Sequence, residues 1–170
     1  AEFFVAEERS DNVVAISHGW GEVACFGTQT VENFYDDGVT PFVPIAGASI
    51  ETGVSARYSI KLIDNSWFIL NEERRLVRII GRQPQVKSIP VDRIISGLST
   101  VADAIGDHLT VGGRTFYVLT FPAANKTLVY DYARDEWAGE WGYWENNEYG
   151  RWRGNCCLYI PKWNKHLVGD

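Results

Sequence analysis

The sequence has no methionine, only three cysteines and three histidines, and no apolar run of membrane-spanning length. A transmembrane helix needs about 20 apolar residues, and no charged-then-apolar secretion signal opens the chain. An odd cysteine count, with Cys156 and Cys157 adjacent and Cys25 distant, predicts free thiols in a reducing compartment. Neither a CxxC nor an HxH spacing occurs, so no metal site is expected. No cofactor is expected either, and the lack of a long apolar run predicts no membrane association.

Motifs for catalysis are also missing. No GxSxG elbow is present, and the glycine pairs lack the following helix that a phosphate loop needs. Adjacent carboxylates occur at Asp36-Asp37, Glu72-Glu73 and Asp135-Glu136, all in predicted turns, where acidic side chains accept bonds from nearby amides. Such pairs do not converge on one bond as catalytic carboxylates must. The sequence therefore does not predict an enzyme.

The charge balance is acidic. A net charge of −6 argues against a general nucleic-acid binder, because affinity for phosphates needs a cationic surface. The densest basic stretch runs from Arg74 to Arg82, and Arg78 lies between the apolar Val77 and Ile79. Strand alternation then predicts a solvated face for Arg78. No recognition of a specific DNA sequence is expected.

Four similar blocks recur along the chain, each an apolar run, a polar turn and a second apolar run. They are EVACFGTQTVENFYDD (22–37), SWFILNEERRLVRIIG (66–81), TFYVLTFPAANKTLVYDY (115–132) and NCCLYIPKWNKHLVGD (155–170). Further strands are predicted at 13–17, 57–64 and 85–89, and an irregular connection at 41–56. The spacing is close to the ~40–50 residues of a propeller blade.

We therefore expect an all-β fold in which four-stranded antiparallel blades form part of a β-propeller. One short inserted helix is predicted near 90–98, since Val91, Ile94, Ile95 and Leu98 have helical spacing. Ser88 is its predicted N-cap, and Pro90 suits a first turn. Methionine is missing and a strand-like run (EFFVA) opens the chain. Residues 1–170 are therefore interpreted as one internal fragment of a longer protein, and this fragment is expected to contain about three to four blade units.

Aromatic residues are concentrated near the end of the chain. They are Trp137, Trp141, Tyr143, Trp144, Tyr149, Trp152, Tyr159 and Trp163. Such rings pack between blades, anchor a protein interface or stack on sugars. Inter-blade packing is expected for Trp137. The predicted partner interface comprises Trp141, Tyr143, Trp144, Arg151, Trp152 and Arg153, and a carbohydrate-binding propeller that contacts the host surface is the alternative.

Several segments resemble one known family. FGTQTVENFYDDG (26–38), the stretch from PFVPIAGAS to SWFIL (41–70), VRIIGRQPQVKSIPVDRII (77–95), FYVLTFP with KTLVYDYARDEWAGEW (116–141), and RWRGNCCLYIPKWNKHLVGD (151–170) are together similar to the packaged-DNA stabilisation proteins of short-tailed bacteriophages, also called tail hub or plug proteins. The similarity is collinear over nearly the whole chain. Each motif alone is a strand or turn pattern of low specificity.

The resemblance implies a non-enzymatic virion protein of a phage or prophage. Members of that family assemble as rings below the portal and its adaptor ring, close the DNA exit channel and connect to the tail needle and tailspikes. The resemblance thus implies a homo-oligomeric ring in the virion tail, assembled in the cytoplasm of the host bacterium.

Overall fold

The computed structural model describes residues 11–39, 42–145 and 148–169, except the side chains at positions 144 and 145. The strand-like run EFFVA lies outside these residues. Sheet 1 consists of β1 (Val13–Gly19), β2 (Glu22–Gly27), β3 (Val31–Tyr35) and β4 (Val43–Pro44). Sheet 2 consists of β5 (Lys61–Ile63), β6 (Ser66–Leu70), β7 (Leu76–Ile80) and β8 (Gln83–Val86). Sheet 3 consists of β9 (Ile105–Val111), β10 (Arg114–Phe121), β11 (Lys126–Asp131) and β12 (Glu136–Glu140). Two hairpins follow, β13 (Gly142–Glu145) with β14 (Glu148–Arg151), and β15 (Cys156–Ile160) with β16 (Lys165–Gly169).

Each four-stranded sheet is an antiparallel meander, with its strands paired in chain order. The first three predicted blocks form the central strand pairs β2–β3, β6–β7 and β10–β11. Between β10 and β11 the chain needs a left-handed residue, and Asn125 adopts φ 51° there. The predicted all-β fold of four-stranded antiparallel sheets is confirmed.

The single predicted helix is also confirmed, although it is short. A 3₁₀ turn, Ile89–Val91, leads into α1, Asp92–Ser96. Val91 and Ile95 are buried, while Ile94 and Leu98 pack at the edge of the same core, as the helical spacing predicts. Ser88 does precede the turn, but its hydroxyl donates to the Asp92 carboxylate and caps no backbone amide.

Two predicted strand boundaries were wrong. Arg57–Ser59 is a 3₁₀ turn, because the buried Ser59 hydroxyl donates to the Ala56 carbonyl at 2.8 Å and accepts the Leu70 N–H at 2.9 Å. β8 ends at Val86, since Ser88 already belongs to the helical turn. Where it is described, the connection 41–56 contains only β4 and one bridge from Ile50 to Val31, as expected.

Sheets 1, 2 and 3 are stacked, and sheet 2 is buried on both faces. Along β6, Trp67 and Ile69 point towards Phe26 and Val31 of sheet 1. Phe68 and Leu70 alternate with them and join the core shared with sheet 3. That second core also contains Leu76, Val91, Ile95, Tyr117, Leu119, Phe121, Leu128 and Tyr130. Burial on both faces explains why SWFIL is a continuous apolar run rather than an alternating one.

The prediction that Arg78 faces solvent was wrong. Its side chain is only 14% exposed, and its guanidinium lies 4.4 Å from the Tyr132 ring centroid and 5.6 Å from that of Phe68. The Asp135 carboxylate is 3.6 Å from the same guanidinium. Two aromatic rings and a carboxylate thus compensate the burial of this cation between sheets 2 and 3.

Trp137 also packs in the seam, the contact region between sheets 2 and 3, which confirms the predicted inter-blade packing. From β12, its indole Nε1 donates to the Lys87 carbonyl after β8 at 2.7 Å. Its ring contacts Tyr130 edge-on at a centroid distance of 5.5 Å. The Lys87 ammonium lies 2.8 Å from the Asp135 carboxylate in the turn before β12. Lys87, which follows β8, therefore contacts sheet 3 and the turn before β12 through both its backbone and its side chain.

Trp137→Phe should lower the free energy of unfolding by at least about 0.5–1.5 kcal/mol, because the indole hydrogen bond is lost and the smaller phenyl ring fills less of the space that the indole occupies. Urea denaturation followed by circular dichroism measures this without relying on tryptophan fluorescence. Trp163→Phe is the matched control, since Trp163 is 59% exposed. An equal loss in both variants would contradict a specific role for Trp137.

The fourth predicted block occupies a different position from the other three. It forms the hairpin β15–β16, with a 3₁₀ turn at Pro161–Trp163, and β15 contacts β9, the first strand of sheet 3. β5, the first strand of sheet 2, also contacts β9. The hairpin therefore contacts sheet 3 through the strand that β5 also contacts, and it is a two-stranded sheet rather than the central pair of a four-stranded one.

Candidate functional site

The predicted interface residues are arranged around the β13–β14 hairpin. Trp141 immediately precedes β13, Tyr143 and Trp144 lie on β13, and Arg151 ends β14. Trp152 and Arg153 follow directly. The side chain of Trp144 lies outside the described residues. The remaining five divide into residues that hold the hairpin on sheet 3 and residues that point away from it.

Trp141 and Trp152 hold the hairpin. Both pack against Phe116, Val118 and Val129, on the face of sheet 3 opposite sheet 2. The rings of Trp141 and Phe116 lie 5.2 Å apart. The backbone N–H of Trp141 donates to the Thr127 carbonyl, and the backbone N–H of Trp152 donates to the Thr127 hydroxyl, each at 3.0 Å. These two indoles are used mainly in packing.

Arg151 is also used internally. Its guanidinium Nη1 donates to the Trp152 carbonyl at 2.9 Å and to the Asn155 side-chain oxygen at 3.0 Å. Its backbone N–H donates to the Asn125 side chain, in the β10–β11 turn, at 2.9 Å. Arg151 therefore orders the chain that leads from β14 to β15.

Tyr143 and Arg153 form the outward part of the predicted interface. The Arg153 guanidinium lies 4.3 Å from the centroid of the Tyr143 ring, and its Nε donates to the Tyr143 hydroxyl. Arg153 is exposed and Tyr143 half-buried. Mutual stacking restricts the conformations of both side chains.

The hairpin β15–β16 displays a surface that the sequence reasoning found only in part. Trp163, which belongs to the aromatic group, is 59% exposed at the turn. Leu158 and Leu167 face each other across the two strands and are 63% and 51% exposed, but they were not predicted to be accessible. Their alternation with other apolar residues is typical of strands, and only the position of the hairpin shows which face is uncovered.

A partly buried ion pair lies between sheets 2 and 3. Lys61 Nζ is 2.5 Å from the Asp107 carboxylate, which also accepts the His108 backbone N–H at 2.8 Å. Burial raises the pKa of Asp107, but the hydrogen bonds from His108 and Lys61 outweigh it and place that pKa below its usual range. Asp107 is therefore ionised at neutral pH.

The comparison with protein families decides what kind of protein this is. The model of the Phage stabilise family, described as bacteriophage P22 Gp10, beta-propeller, matches residues 1–170. The chain belongs to the Phage stabilise family. A search of curated proteins found no match. The stacked four-stranded sheets are accordingly those of a phage DNA-stabilisation protein with a β-propeller fold, and the predicted resemblance is confirmed.

Two adjacent carboxylates of this Phage stabilise protein stabilise a turn. Asp36 and Asp37 accept the N–H groups of Gly38 and Val39 at 2.8 and 2.9 Å, the turn role predicted for them. Within the described ranges, no group of three or more His, Cys, Asp or Glu residues is arranged to hold a metal ion. Cys25, Cys156 and Cys157 are free thiols.

In the part of the chain that the structure describes, no helix has the length and apolar character needed to cross a membrane.

Proposed function

We propose that this protein is a non-enzymatic tail hub or plug component that closes the portal exit channel and retains the packaged genome. The observation that carries the proposal is the family match over residues 1–170. The collinear sequence resemblance supports the same role. In this proposal the 170 residues form one arc of a larger propeller in the virion tail, and the protein is present in the host cytoplasm during assembly.

A protein of net charge −6 suits a plug that works by packing. Genome pressure is resisted by rigid contacts between protein layers, so the plug need not bind phosphate groups. The continuous cores on both faces of sheet 2 supply such rigidity within the chain. The proposed neighbours are the portal adaptor ring, the tail needle, the tailspikes and further copies of the protein in a ring.

We further propose that the exposed part of the β13–β14 hairpin contacts one of these neighbours. Tyr143 and Arg153 form a preorganised pair of the residue types that dominate protein interfaces. Trp141 and Trp152 hold the hairpin that carries this pair against sheet 3. The alternative, a sugar-binding propeller, gains no support from these indoles because both are used in packing. A glycan array would test it directly.

Genome retention tests the role. Deleting the gene from the encoding phage or prophage should yield capsids whose DNA becomes accessible to nuclease, measured by quantitative PCR after nuclease treatment. Complementation with the double variant Tyr143→Ala, Arg153→Ala should give about tenfold fewer DNA-retaining particles than the wild type, the loss expected from truncating an interface anchor. Ile89→Ala, a change at a residue 72% exposed, should complement fully.

The outcomes separate the two parts of the proposal. Full DNA retention after deletion would overturn the plug role itself. Normal complementation by the double variant would overturn only the interface assignment. Strong, salt-sensitive binding of the chain to duplex DNA would show that it holds the genome by binding phosphate groups, contrary to the packing argument.

A further inference from the structure

A cleft runs along β9 where this strand meets the hairpin β15–β16. One cavity of about 450 Å³ lies at the start of β9, and another of about 460 Å³ lies towards its end. A narrower space lies between them and shares His108 with one cavity and Asp107 and Cys157 with the other. The seven residues of β9 give the cleft a length of roughly 23 Å at about 3.3 Å per residue.

The polar residues that line the cleft come from distant parts of the sequence. The first cavity is lined by Arg57, Tyr58, Lys61, Asp107 and Asn155, and the second by His108, Thr110, Tyr159, Asn164 and His166. Side chains from sheet 2, sheet 3 and the last hairpin therefore share one surface. Amide and hydroxyl groups are interspersed with the charged ones, so the cleft offers hydrogen bonds along its whole length.

The charge of this cleft is opposite to that of the protein. Among the described lining residues Asp107 is the one carboxylate, and Lys61 neutralises it at 2.5 Å. The Arg57 guanidinium lies 5.1 Å from the Tyr58 ring centroid, and no carboxylate of the described residues pairs with it. A net positive cleft in a chain of net charge −6 favours an anionic ligand.

The rings in the cleft argue against single-stranded nucleic acid. Tyr159 and His166 are 5.0 Å apart but tilted by 45°, and His108 meets His166 edge-on at 84°. Successive bases stack on flat, accessible ring faces, and these rings do not present a series of them. The cleft is better suited to a chain that brings carboxylates and amide groups.

We propose that the cleft binds an extended acidic segment of a partner protein. Arg57 would bind one carboxylate through charge-assisted hydrogen bonds, while Asn155, Thr110 and Asn164 serve the peptide amides. The segment does not simply extend sheet 3, because the Asp107 carboxylate already accepts the His108 backbone N–H on the free edge of β9. Recognition therefore depends on side chains of the cleft.

A peptide-binding assay tests this inference. Fluorescence anisotropy would compare a labelled peptide of ten glutamates with one of ten glutamines, and the glutamate peptide should bind at least fivefold more tightly. Binding should weaken as salt is raised, since screening acts on a charged contact at the surface. Arg57→Gln should weaken binding of the glutamate peptide about tenfold through loss of a charge-assisted bond.

Arg93→Gln is the matched control, because Arg93 is exposed on α1 and does not line the cleft. It should leave binding unchanged, and circular dichroism would confirm that both variants are folded. Equal affinity for the two peptides, no binding of either, or an equal loss in both arginine variants would each overturn the proposal. Tighter binding of labelled oligothymidylate than of the glutamate peptide would assign the cleft to nucleic acid instead.

Discussion

Phe68→Ala is expected to lower the free energy of unfolding by about 3–5 kcal/mol, the range for removing a large buried aromatic side chain. Phe68 is fully buried where sheets 2 and 3 meet. Its ring lies 5.0 Å from that of Tyr117 and 5.8 Å from that of Tyr130. Removing it would leave a cavity and also expose one side of the Arg78 guanidinium, which the ring covers at 5.6 Å.

Urea denaturation at neutral pH measures this loss, with circular dichroism as the probe. Tyr58→Ala is the matched control, because it removes an aromatic ring that is 60% exposed and should change stability by less than about 0.5 kcal/mol. A loss below about 1 kcal/mol for Phe68→Ala would mean that the seam between sheets 2 and 3 relaxes around the missing ring.

The strands at the centre of each sheet could be predicted because their residues are buried on both sides. Ser66–Leu70 is buried at every position, and so is the second half of Arg114–Phe121. Edge strands such as Gln83–Val86 are exposed and contain proline, so their local pattern is weak. This difference explains why central pairs were located well and the first and last strands of each sheet only approximately.

The position of Arg78 could not be predicted from its neighbours in sequence. Alternation placed it correctly on the face opposite Val77 and Ile79, but a polar residue on that face normally indicates solvent. The groups that compensate its burial, Tyr132 and Asp135, lie more than 50 positions further along the chain. A buried cation becomes predictable only once sheet 3 is known to cover sheet 2.

The candidate sites show the same limit. Composition correctly located an aromatic segment at 137–163, but it could not separate Trp141 and Trp152, which pack inward, from the exposed Arg153. The β9 cleft carries no local motif, since Arg57, Asp107 and His166 are brought together only by stacking of the sheets. That information resides in the topology and not in any short stretch of residues.

Asp11→Asn should destabilise the protein at neutral pH by about 1.5–3 kcal/mol, the usual cost of losing hydrogen bonds to a charged group. The Asp11 carboxylate accepts the N–H groups of Thr28, Gln29 and Thr30 at 3.0, 2.8 and 2.9 Å, and both threonine hydroxyls also donate to it. It thereby fixes the turn between β2 and β3. In an asparagine side chain one of the two acceptor oxygens is replaced by an NH₂ group, which would face backbone N–H groups and could not accept their hydrogen bonds.

The effect of Asp11→Asn should depend on pH in a defined direction. Burial raises the pKa of Asp11, but the hydrogen bonds from residues 28–30 outweigh it and hold that pKa well below its usual range. A carboxyl whose folded pKa is depressed stabilises the protein above its unfolded pKa, about 3.9, and loses this contribution as the pH falls towards the folded value. The stability difference between wild type and variant should therefore be constant from pH 7 to about pH 5 and shrink below it.

Urea denaturation at pH 7, 5 and 3 measures this difference. Asp36→Asn is the control, because Asp36 is exposed and accepts one backbone N–H, from Gly38 two residues away. Its variant should lose less than about 1 kcal/mol at pH 7. A difference for Asp11→Asn that stays the same at pH 3 would show that the charge of the carboxylate is irrelevant, and that the turn depends on side-chain shape alone.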